Sequence, residues 1–250
     1  MADLLEVRNL SLSFGGINAL QDVDVAIAEG ETLAVIGPNG SGKTSLFNCI
    51  TGIYHPTAGS IGFRGEALLG RSPDAVTRLG IARTFQNLRL FHNMTVLDNL
   101  MVGRHLHFRK NFLAAALRLR SEEIRHRRRC EEIVEFLNLE PVRKSRVADC
   151  PYGIQKRVEL GRALATEPKL LLLDEPVSGL TQEEKEEFAY WIHEIRGRFG
   201  ITILLVEHDL RVASRLASRM VALDHGVKIA EGTPAEVQRH PEVVKAYLGE

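Results

Sequence analysis

The run Gly37-Pro38-Asn39-Gly40-Ser41-Gly42-Lys43-Thr44 constrains this chain more than any other stretch of it. It fits the pattern G-x-x-x-x-G-K-[ST], in which glycines let successive backbone N–H groups turn inward on a chain of phosphates. Such a loop belongs between a strand that ends before it and a helix that starts after it, because the helix amino terminus adds positive dipole. Both flanks are present. Leu33-Ala34-Val35-Ile36 is a short apolar run, and Ser45-Leu46-Phe47-Asn48-Cys49-Ile50 has helical texture. The pattern therefore predicts a strand, a phosphate-binding loop and a helix in succession. Lys43 is placed to reach the β- and γ-phosphates of a nucleotide as a point charge, and the Thr44 hydroxyl to ligate Mg²⁺.

A second segment supplies the acids that phosphate chemistry needs. Pro168 to Pro176 reads Pro-Lys-Leu-Leu-Leu-Leu-Asp-Glu-Pro. So short an apolar run predicts a central strand buried on both faces, with Asp174 and Glu175 at its carboxyl end, where open α/β sheets bind ligands. Asp174 would hold Mg²⁺, and Glu175 would polarise an attacking water as general base. Adjacent acids at a strand end are often merely solvated; the phosphate loop upstream gives this pair a task.

Patterning places these segments in a larger frame. Short β-rich runs fill the first third: Val7 to Leu12, Val23 to Ile27, Thr32 to Ile36 and Ser60 to Phe63. From about Phe91 to Cys150 the texture turns helical, with one helix predicted from Thr95 to His107 and another from Ser121 to Leu137. Ser121 reads as a cap, followed by Glu122 and Glu123 at the positive dipole end. Strand and helix then alternate: Lys169 to Asp174, Glu183 to Arg196, Thr202 to Val206, a helix from Asp209, and Arg219 to Asp224. Alternation of this kind predicts an α/β core around a largely parallel sheet, interrupted by a helical insertion.

Composition removes other classes. The 250 residues carry 32 Lys+Arg and 32 Asp+Glu, a formal net charge of +0, which argues against coating nucleic acid or an anionic membrane through an overall field. Apolar runs such as Leu170 to Leu173 and Ile201 to Val206 fall far short of the ~20 residues that cross a bilayer. The start, Met1 to Glu6, bears acids where a signal peptide would be positive, so a cytosolic chain is expected. Cys49, Cys130 and Cys150 are odd in number and far apart, which predicts reduced thiols. His105 and His107 lack a third ligand at metal-site spacing and read as surface residues.

With these pieces in order, the chain resembles the nucleotide-binding subunits of ATP-binding-cassette transporters. The resemblance rests also on Thr84-Phe85-Gln86, Tyr152-Gly153-Ile154-Gln155-Lys156-Arg157, Ser178-Gly179-Leu180 and Val206-Glu207-His208-Asp209, and it covers almost the whole chain. It implies a P-loop, RecA-like α/β core with a mainly parallel sheet, an antiparallel β subdomain and the helical insertion. A single cassette domain spanning 1–250 is implied, its core at about 1–90 and 156–250 and its helical subdomain at about 91–155. ATP and Mg²⁺ are the implied cofactors. Phe14 would stack on adenine, though taken alone it reads as core packing. Gly37, Asn39, Gly40, Ser41, Gly42, Lys43, Thr44 and Ser45 would cradle the phosphates. Tyr152, Gly153 and Gln155 would face the nucleotide of a second subunit. Thr44, Gln86 and Asp174 would surround the metal, with Glu175, His208 and Gln86 at the reacting phosphate.

Two departures from the family pattern stand out. Where its signature usually reads Leu-Ser-Gly-Gly-Gln, this chain has Cys150-Pro151-Tyr152-Gly153-Ile154, so no serine hydroxyl is offered there and Pro151 has no N–H. Proline just before a helix is nonetheless sterically comfortable, and a helix from Gly153 to Ala165 is predicted to present its dipole. Thr181 replaces the usual Asp or Asn after Leu180. Neither change touches Lys43, Asp174, Glu175 or His208.

Finer similarity points to one subgroup. Gly80 to Asn87 with the run Arg83-Thr84-Phe85-Gln86, Leu90-Phe91, Met94 to Asn99, Tyr152-Gly153, and the tail segments Ile229 to Val237 and Tyr247 to Glu250 are similar to ATPases of branched-chain amino acid importers. Cassettes for urea and amide import and for lipopolysaccharide export are similar too. The resemblance implies integral-membrane permease subunits, a second cassette in a homo- or heterodimer, and, indirectly, a periplasmic binding protein. It places the chain in the cytoplasm, peripheral on the inner face of the membrane. A soluble cassette acting on nucleic acid is the competing class, suggested by Arg125-His126-Arg127-Arg128-Arg129, but the flanking acids predict i,i+3 and i,i+4 pairs on a solvated face and no nucleic acid. A phosphate-loop kinase would leave Gly153 to Arg157 and His208 without a purpose.

Overall fold

The computed structural model describes residues 3–108 and 112–248, with side chains from 122 onward in the second stretch. It opens with a long antiparallel hairpin, β1 (Asp3–Phe14) and β2 (Ile17–Ala28), followed by the short strand β3 (Thr32–Ile36) and the helix α1 (Lys43–Ile50). Then come β4 (Ala58–Phe63), β5 (Glu66–Ala67), α2 (Pro73–Arg78) and β6 (Ile81–Arg83). A helical block follows: α3 (Val96–Gly103), α4 (Phe112–Phe136) and α5 (Tyr152–Leu164). The chain closes by alternation: β7 (Leu170–Asp174), α6 (Gln182–Phe199), β8 (Thr202–Glu207), α7 (Leu210–Leu216), β9 (Arg219–Asp224), β10 (Val227–Gly232), α8 (Pro234–Arg239) and α9 (Pro241–Leu248).

Two sheets result. One is antiparallel, in the order β2-β1-β4-β5; the other runs β10-β9-β3-β8-β7-β6, parallel from β9 to β6 with β10 antiparallel at its edge. The parallel strands read as unbroken apolar runs because both of their faces are covered. Leu33 and Val35 of β3, Leu170 and Leu172 of β7, and Leu204 and Val206 of β8 enter a core shared with α1 and the antiparallel sheet. Their alternates, Ala34, Ile36, Leu171, Leu173, Ile203 and Leu205, enter a second core with α6, α7 and the helical block. The helix after the phosphate loop is thus wedged between two sheets, and Leu46, Phe47 and Ile50 are fully buried there.

The predicted α/β core, antiparallel β layer and helical insertion are all present, with two boundary corrections. The second helix of the insertion begins at Phe112, not Ser121. Leu113 to Leu119 consists of leucine and alanine with Arg118, all strong helix formers, so Ser121 is an interior position. The helix predicted from Thr95 to His107 ends at Gly103 and tightens into a 3₁₀ turn over Arg104–His107, while Thr95 is its cap, accepting from the Asp98 amide. Within the basic run, Arg125 pairs with Glu122 at 3.5 Å, and Arg129 pairs with Glu132 at 2.6 Å and Glu167 at 3.1 Å. His126 is buried, with its Nδ1 accepting from Arg104 at 3.3 Å. Met1, Ala2, Gly249 and Glu250, which entered the reading of the termini, lie outside the described residues.

Candidate active site

The phosphate loop joins β3 to α1, and its glycines are required for different reasons. A Cβ on Gly37 would lie 2.1 Å from the Leu223 carbonyl oxygen, and one on Gly42 would lie 2.6 Å from that of Ala19, so neighbouring backbone occupies both spaces. Gly40, at φ +83°, meets nothing within 4 Å and is there for its left-handed conformation. Gly42 also gives α1 no side-chain cap, so the first amides of the helix are open to an anion. Lys43 is only 5% exposed and folds back onto the loop, donating to the carbonyls of Gly37 at 2.7 Å and Pro38 at 2.8 Å. Burial holds its ammonium pKa below the ordinary lysine range, against the opposing pull of Glu175, Asp174 and Glu207. Ser41 is buried, its Oγ 3.5 Å from the Lys43 Nζ, whereas Asn39 and Thr44 are exposed and Ser45 is half-buried.

The carboxylates follow from strand order. β6, β7 and β8 are adjacent and parallel, so the residues after their carboxyl ends converge. Gln86 after β6 donates from Nε2 to Glu175 Oε2 at 3.0 Å, and His208 after β8 places Nδ1 3.6 Å from Glu175 Oε1. Glu175 itself sits at φ +46°, a left-handed conformation unfavourable for glutamate and held by its amide's bond to the Val206 carbonyl at 3.0 Å. The expected trio of Gln86, Glu175 and His208 is therefore a contact cluster. With its Nε2 engaged, Gln86 keeps its amide oxygen as an acceptor. The groups expected to ligate a metal, Thr44 hydroxyl, Asp174 carboxylate and Gln86 amide, are all oxygen donors, a chemistry that fits a hard cation retaining waters and phosphate ligands.

Phe14 is 47% exposed, its ring edge-on to Tyr54 at 5.1 Å between centroids, which removes the core-packing reading. Tyr152, Gly153 and Gln155 lie elsewhere. Among the described residues, the polar contacts of these three run to their own surroundings: the Tyr152 hydroxyl to the Ser178 carbonyl at 3.5 Å, and Gln155 Nε2 to that of Cys150 at 2.8 Å. A Cβ on Gly153 would lie 2.0 Å from Glu184 Oε1. Glu184 is fixed there because Thr181 caps α6 in a reciprocal box, each side chain bonding the other's backbone N–H. That box is the physical reason a threonine suits position 181. Pro151 takes the position before α5 at φ −55° and ψ 156°, and no side chain caps the helix, leaving its first amides open.

Four charged residues inside or beside the site have no role in the motif reading, although Arg83 and Lys156 fall within its quoted runs. Arg83, at the end of β6, donates to Asp174 Oδ2 at 2.7 Å and to Asn48 Oδ1 at 2.7 Å. Glu159 of α5 accepts from the Phe85 amide at 3.2 Å, and burial pushes its carboxyl pKa up. Arg162, one turn on, donates to the Arg89 carbonyl, so α5 grips the loop on both sides of Gln86. Lys156 is buried with its ammonium 5.8 Å from the Tyr152 ring centre, and burial lowers its pKa. Sequence offered no signal for Glu159: its same-face neighbours on the helix include Gln155, Lys156 and Arg162, so it reads as one of several polar positions.

The chain is similar to known proteins along nearly its whole length. Residues 20–178 match the family model described as ABC transporter, and residues 227–250 match a model described as branched-chain amino acid ATP-binding cassette transporter. The high-affinity branched-chain amino acid transport ATP-binding protein of Pseudomonas aeruginosa is 38% identical over 99% of this chain and 98% of its own length. The protein of the same description from Escherichia coli (strain K12) is 37% identical over the same shares. Among solved structures, the ADP conformation of an ATP-binding cassette of an ABC transporter superposes with a TM-score of 0.87 at 30% identity, covering 100% of both chains.

Proposed function

The chain belongs to the ABC transporter family of ATP-binding cassettes, and from that premise we propose that it is the ATP-hydrolysing subunit of an importer for branched-chain amino acids. The carboxyl-terminal match over 227–250, together with full-length relatives described as branched-chain amino acid transport proteins, supports the substrate class. The meeting of Gln86, Glu175 and His208 after three adjacent strands supports the chemistry. ATP binds on the phosphate loop, where Lys43 exchanges its bonds to the Gly37 and Pro38 carbonyls for the β- and γ-phosphates. Phe14 takes the adenine ring, and Asn39, Ser41, Ser45 and the loop amides hold the phosphates. Thr44, Asp174 and Gln86 would hold Mg²⁺, which would supply charge neutralisation at the reacting phosphates. Glu175 accepts the proton of the attacking water while His208 steadies that carboxylate and the charge that develops on the γ-phosphate.

The first turn of α5, with Tyr152, Gly153 and Gln155, is the surface offered to the nucleotide of a second cassette. Two cassettes then close on two nucleotides, and ATP shifts the equilibrium by its higher affinity for the closed state. One domain of 1–250 does this, a core of about 1–90 and 156–250 carrying a helical arm of about 91–155. Among the described residues no helix is long and apolar enough to cross a membrane. The proposed cassette works at the cytoplasmic face, on permease subunits fed by a periplasmic binding protein. Vesicles carrying the chain with its co-purified permease subunits test the proposal: ATP-driven uptake of leucine, isoleucine or valine, abolished by Lys43→Ala, is expected. ATP-driven uptake of a different solute class alone would overturn it.

A further inference from the structure

Arg83 stands where three parts of the site meet, and no motif assigns it a task. Its guanidinium is buried, with a side-chain exposure of 7% against 4% for Asp174, its ion partner at 2.7 Å. The other Nη bonds Asn48 Oδ1 at 2.7 Å, on the helix that follows the phosphate loop, and approaches Thr51 Oγ1 at 3.4 Å, the residue that caps that helix's carboxyl end. The carbon at its centre lies 5.4 Å from the Phe47 ring centre and 5.1 Å from that of Phe85, the neighbour of Gln86. One planar cation thus ties the phosphate-loop helix, the carboxylate after the central strand and the glutamine loop together.

A buried ion pair is seldom retained for stability alone, since apolar replacements are often as good. Its geometry is informative instead. Only Oδ2 of Asp174 is engaged by Arg83, and no other hydrogen bond to that side chain occurs among the described residues. A carboxylate that ligates a metal is normally oriented by a further hydrogen bond, and losing that bond typically costs 10–100-fold in metal affinity. A lysine would not substitute, because a single ammonium lacks the planar fork that serves Asp174 and Asn48 at once.

We propose that Arg83 is a positioning residue that fixes one oxygen of Asp174 so that the other is presented to the divalent cation of the bound nucleotide. The proposal rests on the reading of Asp174 as a metal ligand. It is tested by titrating Mn²⁺ into the ADP-saturated protein and following bound metal by electron paramagnetic resonance, which requires no hydrolysis. Arg83→Met and Arg83→Lys are each expected to weaken Mn²⁺ binding about tenfold or more. Affinity for ADP in EDTA should stay within about twofold of wild type, since the loop contacts are untouched. Arg83→Lys keeps the buried charge and serves as the test if Arg83→Met does not fold. Wild-type Mn²⁺ affinity in both Arg83 variants, with Asp174→Asn losing it, would overturn the role of Arg83. Equal losses in EDTA and in Mn²⁺ would overturn it too. If Asp174→Asn itself binds Mn²⁺ as wild type does, the metal reading of Asp174 fails instead.

Discussion

Glu207 ends β8 almost wholly out of water, and its Oε1 has no hydrogen-bond partner among the described residues. Burial, and then the neighbouring Glu175 carboxylate, push its pKa up to about 7. The folded pKa lies above the unfolded one, so the folded state holds more protons between about pH 4.5 and 7. The stabilisation is complete below that window and is lost as pH rises through it. Glu207→Gln is therefore expected to raise the thermal midpoint over wild type at pH 8 and to leave it nearly unchanged at pH 4.5. An equal effect at both values would contradict this account of the group. Glycines separate the same way. Gly37→Ala drives a Cβ into the Leu223 carbonyl and should abolish ATP binding, whereas Gly40→Ala meets open space and pays only for its backbone, about 1–2 kcal/mol. Binding measured by nucleotide fluorescence distinguishes the two. At this scale the motif residues were legible, because phosphate chemistry dictates residue type at fixed spacing. Arg83, Glu159 and Glu207 were not, because their meaning lies in burial and in partners distant along the chain.

Elements were legible where a pattern had one physical cause. The Leu170 to Asp174 run predicted a strand covered on both faces, and its leucines do alternate between the two cores. The start of α4 was missed because Ser121-Glu122-Glu123 has the chemistry of a cap, which the leucine and alanine run before it overrides. A usable signal near the end was passed over: Thr233-Pro234-Ala235-Glu236 is a capping box with proline in the first turn, and it starts α8. The link between α5 and the Gln86 loop is the consequential element contact. Glu159→Ala would leave the Phe85 amide unpaired, at a cost of about 1–3 kcal/mol. Because the loop it releases carries Gln86, kcat should fall more than the KM for ATP rises. Steady-state kinetics beside a denaturant melt check both halves. A melt shift with unchanged kcat would leave Glu159 a purely stabilising residue.

At the scale of the whole molecule, one sheet separates two cores, and the proposed nucleotide site lies along its carboxyl edge. The hairpin β1–β2 and α1 share one core, while the helical arm shares the other with α6 and α7. Glu175 is in contact with Gln86, which follows β6, and with His208, which follows β8. The open first turn of α5 points to a closed pair of cassettes as the hydrolytic unit, so ATP should produce a dimer that Lys43→Ala cannot form. The measurement that bears most directly on the central claim is single-turnover hydrolysis of MgATP by Glu175→Gln, with ATP binding followed in parallel. A fall of about 10²-fold or more in the rate, with ATP still bound and a dimer that persists, is predicted. Hydrolysis at the wild-type rate would contradict the assignment of Glu175 as the general base.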